Sequence, residues 1–157
     1  MVISVIAAEY KIERVLIDQG SSANILYWTT AKKLGIQNLT KCQGALYGFA
    51  GERVPIKGIV ELETTFGDRS GVRTIPVLYT MVDTEASYNI IIGRPTLNRL
   101  EAVISTHHLC MKFLTGRTVA TVWVDAGIAR RCYEDSLKVE STSKKLGVNI
   151  LDFDLYP

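Results

Sequence analysis

The feature that most limits what this chain can fold into is its punctuation. Short runs of β-branched and other apolar residues end, one after another, at glycine, proline or paired polar residues. Val2 to Ala7 and Ile12 to Ile17, parted by Glu9 and Lys11, read as a hairpin. From Gly44 to Val82, strand-like runs alternate with turns at Gly51, Gly67 and Gly71, a β-meander in which Pro55 and Pro76 belong at edge positions or strand starts. Tyr88 to Ile92, Ala102 to Phe113 and Val119 to Val124 add strands. Helical spacing is confined to a few places. Tyr27, Ala31 and Leu34, followed by Gly35, predict one helix from about Asn24 to Leu34, and Pro95 suits the first turn of another running to Leu100. The expectation is a mostly β domain over 1–124 with one or two short helices. A segment over 125–157 follows, in which helix-like AGIARRCYEDSLKVE gives way to a linker-like STSKK.

At 157 residues the chain is long enough for one domain with a core that needs no disulfide or metal. Its longest apolar stretches, such as Val2 to Ala8, fall far short of the roughly 20 residues that cross a bilayer. The opening MVISVIAAEY lacks a basic leader, so an intracellular, reducing compartment and no membrane partner are expected. A formal charge of +2 gives no argument for direct contact with nucleic acid. Cys42, Cys110 and Cys132 are odd in number and widely spaced, and read as free thiols, mostly buried. His107, His108 and Cys110 resemble a metal-ligand set, but on a strand His107 would face away from the other two, so packing is the preferred reading and no metal is expected.

Three local patterns carry chemistry. In VLIDQGSSANI, residues 15–25, an apolar strand ends in Asp18, with Gly20 permitting a tight turn. LYGFAGERVPIKGIVEL, residues 46–62, is a hairpin with small residues at its tip, suited to a lid. IIIGRPTLNRL, residues 90–100, joins three apolar residues to a glycine and a helix start. In this order the patterns resemble the retropepsins, the homodimeric aspartic proteases of retroviruses and gypsy-type retrotransposons. The plant retrotransposon branch is the most similar, through VLIDQGSSANILYWTTAKKLGI, LYGFAGE, IIIGRPTLNRLEAVISTHHLCMKF and ARRCY, a likeness covering roughly residues 12–134.

The resemblance implies a closed acid-protease barrel of one lobe, working as a homodimer on an extended peptide or polyprotein substrate, without cofactor. It makes Asp18 the catalytic aspartate and Gln19 and Gly20 the rest of its triplet. Gly48, Phe49, Ala50, Gly51 and Glu52 become the flap, and Ile91, Ile92 and Gly93 the loop that buttresses the site, followed by Arg94. Gln19 stands where the family usually has Thr or Ser, and residues 21–24 offer no carboxylate to pair with Arg94.

Peptide hydrolysis by aspartate needs two carboxyl groups, one protonated to polarise the carbonyl and one ionised to take a proton from water. A second Asp-x-Gly occurs in VWVDAG, residues 122–127, but too little chain follows Gly127 to supply a second flap and a second apolar-glycine strand. Asp125 therefore reads as a helix cap, and two chains must each supply Asp18. Two alternatives stay open: an inactive retropepsin-fold dimerisation or interaction module, and a non-proteolytic ligand-binding β-barrel.

Overall fold

A computed structural model describes residues 1–37, 39–48, 51–135 and, as backbone, 153–154. The expected hairpin is β1 (Val2–Ala7) against β2 (Tyr10–Ile17), turned at Ala8 and Glu9, both at positive φ. After β3 (Asn24–Tyr27) and α1 (Trp28–Lys33) come β4 (Ala45–Gly48), β5 (Arg53–Asp68) and β6 (Gly71–Val82). Then follow β7 (Ile90–Ile92), α2 (Arg94–Leu100), β8 (Val103–Ser105), β9 (Cys110–Thr115) and β10 (Thr118–Trp123). Residues 126–135 form α3, and β11 is Phe153–Asp154.

Among the described residues one sheet runs β1-β2-β7-β3-β6-β5-β4-β11. It closes on itself where Ile6 and Ala7 of β1 pair with Thr65 and Thr64 of β5, so six strands make a barrel and β4 and β11 extend beyond it. β8, β9 and β10 form a second, antiparallel sheet. β5 and β6 alternate buried and exposed positions, as strands with one wet face do. β3 and β7 are buried at every position, which fits their place among the inner strands and their unbroken apolar runs. The barrel interior is filled by Ile3, Val15, Leu26, Phe66, Tyr79, Ile90 and Ile92, closed below by Met111 and Phe113 of the second sheet. The Tyr79 hydroxyl, buried, is bonded to Thr64 Oγ1 at 2.9 Å.

Two expectations need correcting. The helix predicted from Asn24 starts only at Trp28, because Asn24 to Tyr27 pairs in parallel with Tyr79 to Val82 of β6 and, through Ile25 and Leu26, with β7. Tertiary pairing on both sides overrides the helical spacing there. The strand expected from Ala102 to Phe113 is two strands, with residues 106–109 turning between them and Leu109 at positive φ. His107 and His108 accordingly lie exposed in that turn, not on opposite faces of a strand, while Cys110 begins β9 and is buried. His108 Nδ1 is bonded to Ser105 Oγ at 2.8 Å.

Other features follow the sequence closely. Pro55 and Pro76 fall within strands, but where the second neighbour is missing: Pro55 pairs with β4 before β5 reaches β6, and Pro76 lies before β6 reaches β3. Pro95 is in the first turn of α2, and Gly35 leaves α1 at φ +66°. Cys42, Cys110 and Cys132 are free, the last two buried. α3 packs Ile128 and Cys132 against Val2, and Arg14 pairs with Asp135 at 3.0 Å. The STSKK segment lies outside the described residues, and no helix among the described residues is long and apolar enough to cross a membrane.

Candidate functional site

β2 and β7 run parallel, with Val15, Leu16 and Ile17 opposite Ile90, Ile91 and Ile92. The ladder continues one step past the strand end, where the Asp18 amide donates to the Ile92 carbonyl at 2.9 Å. β3 flanks the other side of β7, antiparallel, with Ile25 opposite Ile91. Residues 18–23 therefore leave β2 on one side of β7 and return on the other, and the chain beyond Ile92 must pass through this loop.

Gly93 is the residue that passes. A Cβ there would lie 2.3 Å from the Ala23 carbonyl oxygen and 2.7 Å from that of Ser21, so no larger residue fits without moving backbone. Its amide donates to Asn24 Oδ1 at 2.9 Å. The next residue ties the loop from beneath: the Arg94 amide donates to the Ser21 carbonyl at 2.9 Å, and its Nη1 donates to the carbonyls of Gly20 at 2.9 Å and Gln19 at 3.2 Å. These carbonyls are partners that the sequence, scanned for a carboxylate at residues 21–24, did not suggest. Within the loop the Gly20 amide donates to Asp18 Oδ1 at 2.9 Å, and the buried Ser21 hydroxyl donates to the Ala23 carbonyl at 2.7 Å.

Asp18 is half-buried, and Gln19 and Gly20 are exposed. Side chains alternate along a strand, so Asp18 continues the row begun by Leu16, and the pairing register puts Ile91, Ile25 and Tyr27 on that same face. The hairpin expected to be a flap stands over it. Its stem pairs Ala45, Leu46 and Tyr47 with Pro55, Val54 and Arg53, and Leu46 and Val54 pack with Ile25, Tyr27, Val82 and Ile91. At the tip the Gly48 amide donates to the Glu52 carbonyl and the Gly51 amide to the Gly48 carbonyl, each at 3.0 Å, with Gly51 at φ +83°. Phe49 and Ala50 lie outside the described residues.

The structure thus brings Asp18, Gln19, Gly20, Ile91, Ile92, Gly93 and Arg94 together, and sets the stem of the 48–52 hairpin on the apolar row that ends in Asp18. Asn24 went unnoticed in the sequence; its signal was a polar residue inside the run ANILY, where it is 5% exposed. Asp125 is elsewhere and otherwise employed: its Oδ1 accepts from the Ile128 amide at 2.9 Å and its carbonyl from the Ala129 amide at 2.8 Å, which caps α3. No group of three or more His, Cys, Asp or Glu suited to a metal exists among the described residues. The arrangement presents one carboxylate per chain on an accessible loop braced by backbone hydrogen bonds, above an apolar shelf suited to extended peptide.

No protein-family model matches the chain, and no curated protein matches it. Solved structures do. The chain is similar to the retroviral protease-like domain of Ddi1 from Leishmania major, with a TM-score of 0.58 and 16% identity over 81% of this chain and 95% of that one. It is also similar to EIAV protease complexed with the inhibitor HBY-793, with a TM-score of 0.49 and 22% identity over 67% of this chain and 91% of that one. The barrel is therefore of the retroviral protease-like, mostly β kind.

Proposed function

We propose that the chain is an aspartic endopeptidase of retropepsin type, active as a symmetric homodimer in which each protomer contributes Asp18. The observation that carries this reading is the loop of residues 18–23, held by the Ile92 carbonyl, by Gly93 threaded through it and by Arg94 beneath it, with its one carboxylate, half-buried, at the end of the apolar row. Two such loops about a two-fold axis supply the two carboxyl groups the reaction requires, one protonated and one ionised, with water between them. An extended peptide would lie along the apolar shelf of Leu16, Ile25 and Ile91 under the 48–52 hairpins, gripped through its backbone as in strand addition. Residues 1–124 form the protease domain in this reading, and 125–157 a C-terminal helix and tail. The quoted stretches of sequence support an origin in a plant gypsy-type retrotransposon polyprotein, processed inside the cell.

The test couples assembly to turnover. Sedimentation should give about twice 17.4 kDa, and peptidase activity per chain should rise with concentration and then level off as the dimer fills. A strict monomer that cleaves no peptide at any concentration overturns the proposal.

One observation favours a second reading, a dimer of the same fold without turnover. Gln19 occupies the place of the family's Thr or Ser and is exposed beside Asp18. Its longer side chain must find room beside its symmetry mate and loses more rotamer freedom than a hydroxyl would. Gln19→Thr should then tighten the dimer and raise activity most at low protein concentration. Lower association and activity in that variant would make Gln19 a suited part of the site.

A further inference from the structure

The hairpin that stands over the Asp18 face has two outer edges, and they are not alike. On its first strand, Gly44 and Gly48 turn their backbone groups toward β5: the Ile56 amide donates to the Gly44 carbonyl at 3.1 Å, and the Gly48 amide and carbonyl are both engaged within the tip. Bonded and unbonded positions alternate along an antiparallel strand, so Leu46 also faces β5, and the amides and carbonyls of Ala45 and Tyr47 point the other way. On the second strand the same alternation turns Arg53 and Pro55, the register partners of Tyr47 and Ala45, outward. Pro55 has no amide to offer, and it stands where β5 has not yet reached β6. That edge is blunted. The edge of β4 is the one able to accept a further strand.

It already holds one. β11 lies antiparallel along it, with Asp154 opposite Tyr47 and Phe153 opposite Gly48. Opposed residues share a face of the sheet. Phe153 is therefore on the face of Leu46 and Val54, which packs on Ile25, Tyr27, Val82 and Ile91, and Asp154 is on the face of the exposed Tyr47 and Arg53. The sequence alternates in the same sense, as Leu151-Asp152-Phe153-Asp154-Leu155. A slip of one residue would set an acid on the apolar face, so pattern and register select the same alignment.

An extended peptide seeking backbone partners on this hairpin needs that same edge. We propose that the segment around Phe153 and Asp154 is an internal competitor for substrate: the chain covers its own strand-addition edge, and a peptide binds when β11 leaves it. Because the segment belongs to the same chain, it competes through effective concentration rather than dose. The competition rests on the peptidase reading, whereas the occupied edge does not.

The test removes one amide from the full chain. Asp154→Pro deletes the donor opposite Tyr47, and Asp154→Ala keeps it. Hydrogen exchange at the Tyr47 amide should be about fivefold faster in Asp154→Pro than in the wild type or Asp154→Ala, with Leu46 the same in all three. A fluorogenic decapeptide cut by the wild type should be cut by Asp154→Pro with KM lowered about fivefold and kcat unchanged, as when β11 covers the edge about four-fifths of the time. Asp154→Ala should stay within about twofold of the wild type. In a separate arm, a synthetic nonapeptide of residues 149–157 is titrated into the 15N-labelled chain. It should shift the Tyr47 amide and bind Asp154→Pro about fivefold more tightly than the wild type. If no decapeptide is cut yet exchange and nonapeptide binding follow this pattern, the peptidase reading fails and the covered edge stands. Equal exchange at Tyr47 in the wild type and Asp154→Pro, or equal binding of the nonapeptide, overturns the proposal, and so does an unchanged KM where Tyr47 has lost its protection.

Discussion

Two stretches of this chain begin alike and end differently. Asp18-Gln19-Gly20 and Asp125-Ala126-Gly127 each follow an apolar strand, yet the first becomes an open loop and the second the start of a helix. In both, Asp Oδ1 accepts a nearby backbone amide, from Gly20 in one and from Ile128 in the other, each at 2.9 Å. The difference is what lies alongside. Beyond Asp18 a neighbouring strand passes through the loop at Gly93 and Arg94 ties down its carbonyls, so the segment cannot coil into a helix. Beyond Asp125 no strand among the described residues is threaded, and the amides of residues 128 and 129 turn back to it as a helix begins. The motif is only an apolar strand with an acid at its end; its neighbours decide what the acid does.

The largest effect expected is on turnover. Asp18→Asn, nearly isosteric but unable to cycle a proton, should remove at least a thousandfold of peptidase activity and leave thermal unfolding nearly unchanged, whereas Asp125→Asn should leave kcat/KM where it was. Reversal of that pattern in a peptide-cleavage assay would end the distinction between the two acids.

Next in size is the threading itself. Gly93→Ala forces a methyl against two carbonyl oxygens and should cost more than about 3 kcal/mol in urea unfolding, or prevent folding outright. Gly127→Ala meets nothing closer than 3.5 Å and sits within α3, so it should be neutral or stabilise by up to about 1 kcal/mol. Equal costs at the two glycines would show that the loop around Gly93 relaxes freely. Arg94→Met should lie between, at about 1–2 kcal/mol, and should speed hydrogen exchange at Gly20 and Ser21 while sparing residues 126–129.

The smallest effect is the cap. Asp125→Ala should cost about 1 kcal/mol in thermal unfolding, while Asp125→Asn, which still accepts a hydrogen bond, should cost a few tenths. A loss above about 3 kcal/mol for the alanine variant would mean that α3 supports the barrel far more than its packing on Val2 suggests.

What the sequence revealed follows from how local each feature is. The β1–β2 hairpin, the glycine-marked turns of β4 to β6, Pro95 at the start of α2 and the cap at Asp125 depend on a few adjacent residues, and those could be read directly. β3 could not, because Asn24 to Tyr27 is extended only through partners at Tyr79 to Val82 and at Ile90 and Ile91, far off in the chain. The turn at His107 and His108 was hidden for the opposite reason: THH carries no glycine or proline, and Leu109 adopts positive φ without advertising it. At the site, Asp18, Gly20, Gly93 and Arg94 stood out as residue types, but their mutual arrangement is a property of the crossing. Arg94 donates to two backbone carbonyls of the loop, which residue type alone does not suggest, and Asn24, buried with its side chain on the Gly93 amide, has no pattern of its own. Tyr27, an apolar position of the expected helix, ends β3 instead.

β5 runs sixteen residues without a break, from the stem of the 48–52 hairpin to the seam where the barrel closes on β1. The hairpin is thus no separate appendage but the free end of a beam whose other end is clamped in the wall. The irregularity between Ile56 and Gly58 falls between the two, at the point where β5 passes from pairing with β4 to pairing with β6, and there Gly58 presses so near the Thr40 carbonyl that a Cβ would lie 2.9 Å from it. That point is a fulcrum. Force applied at the tip would load the strand there, where the bridge from Thr40 to Ile59 braces it.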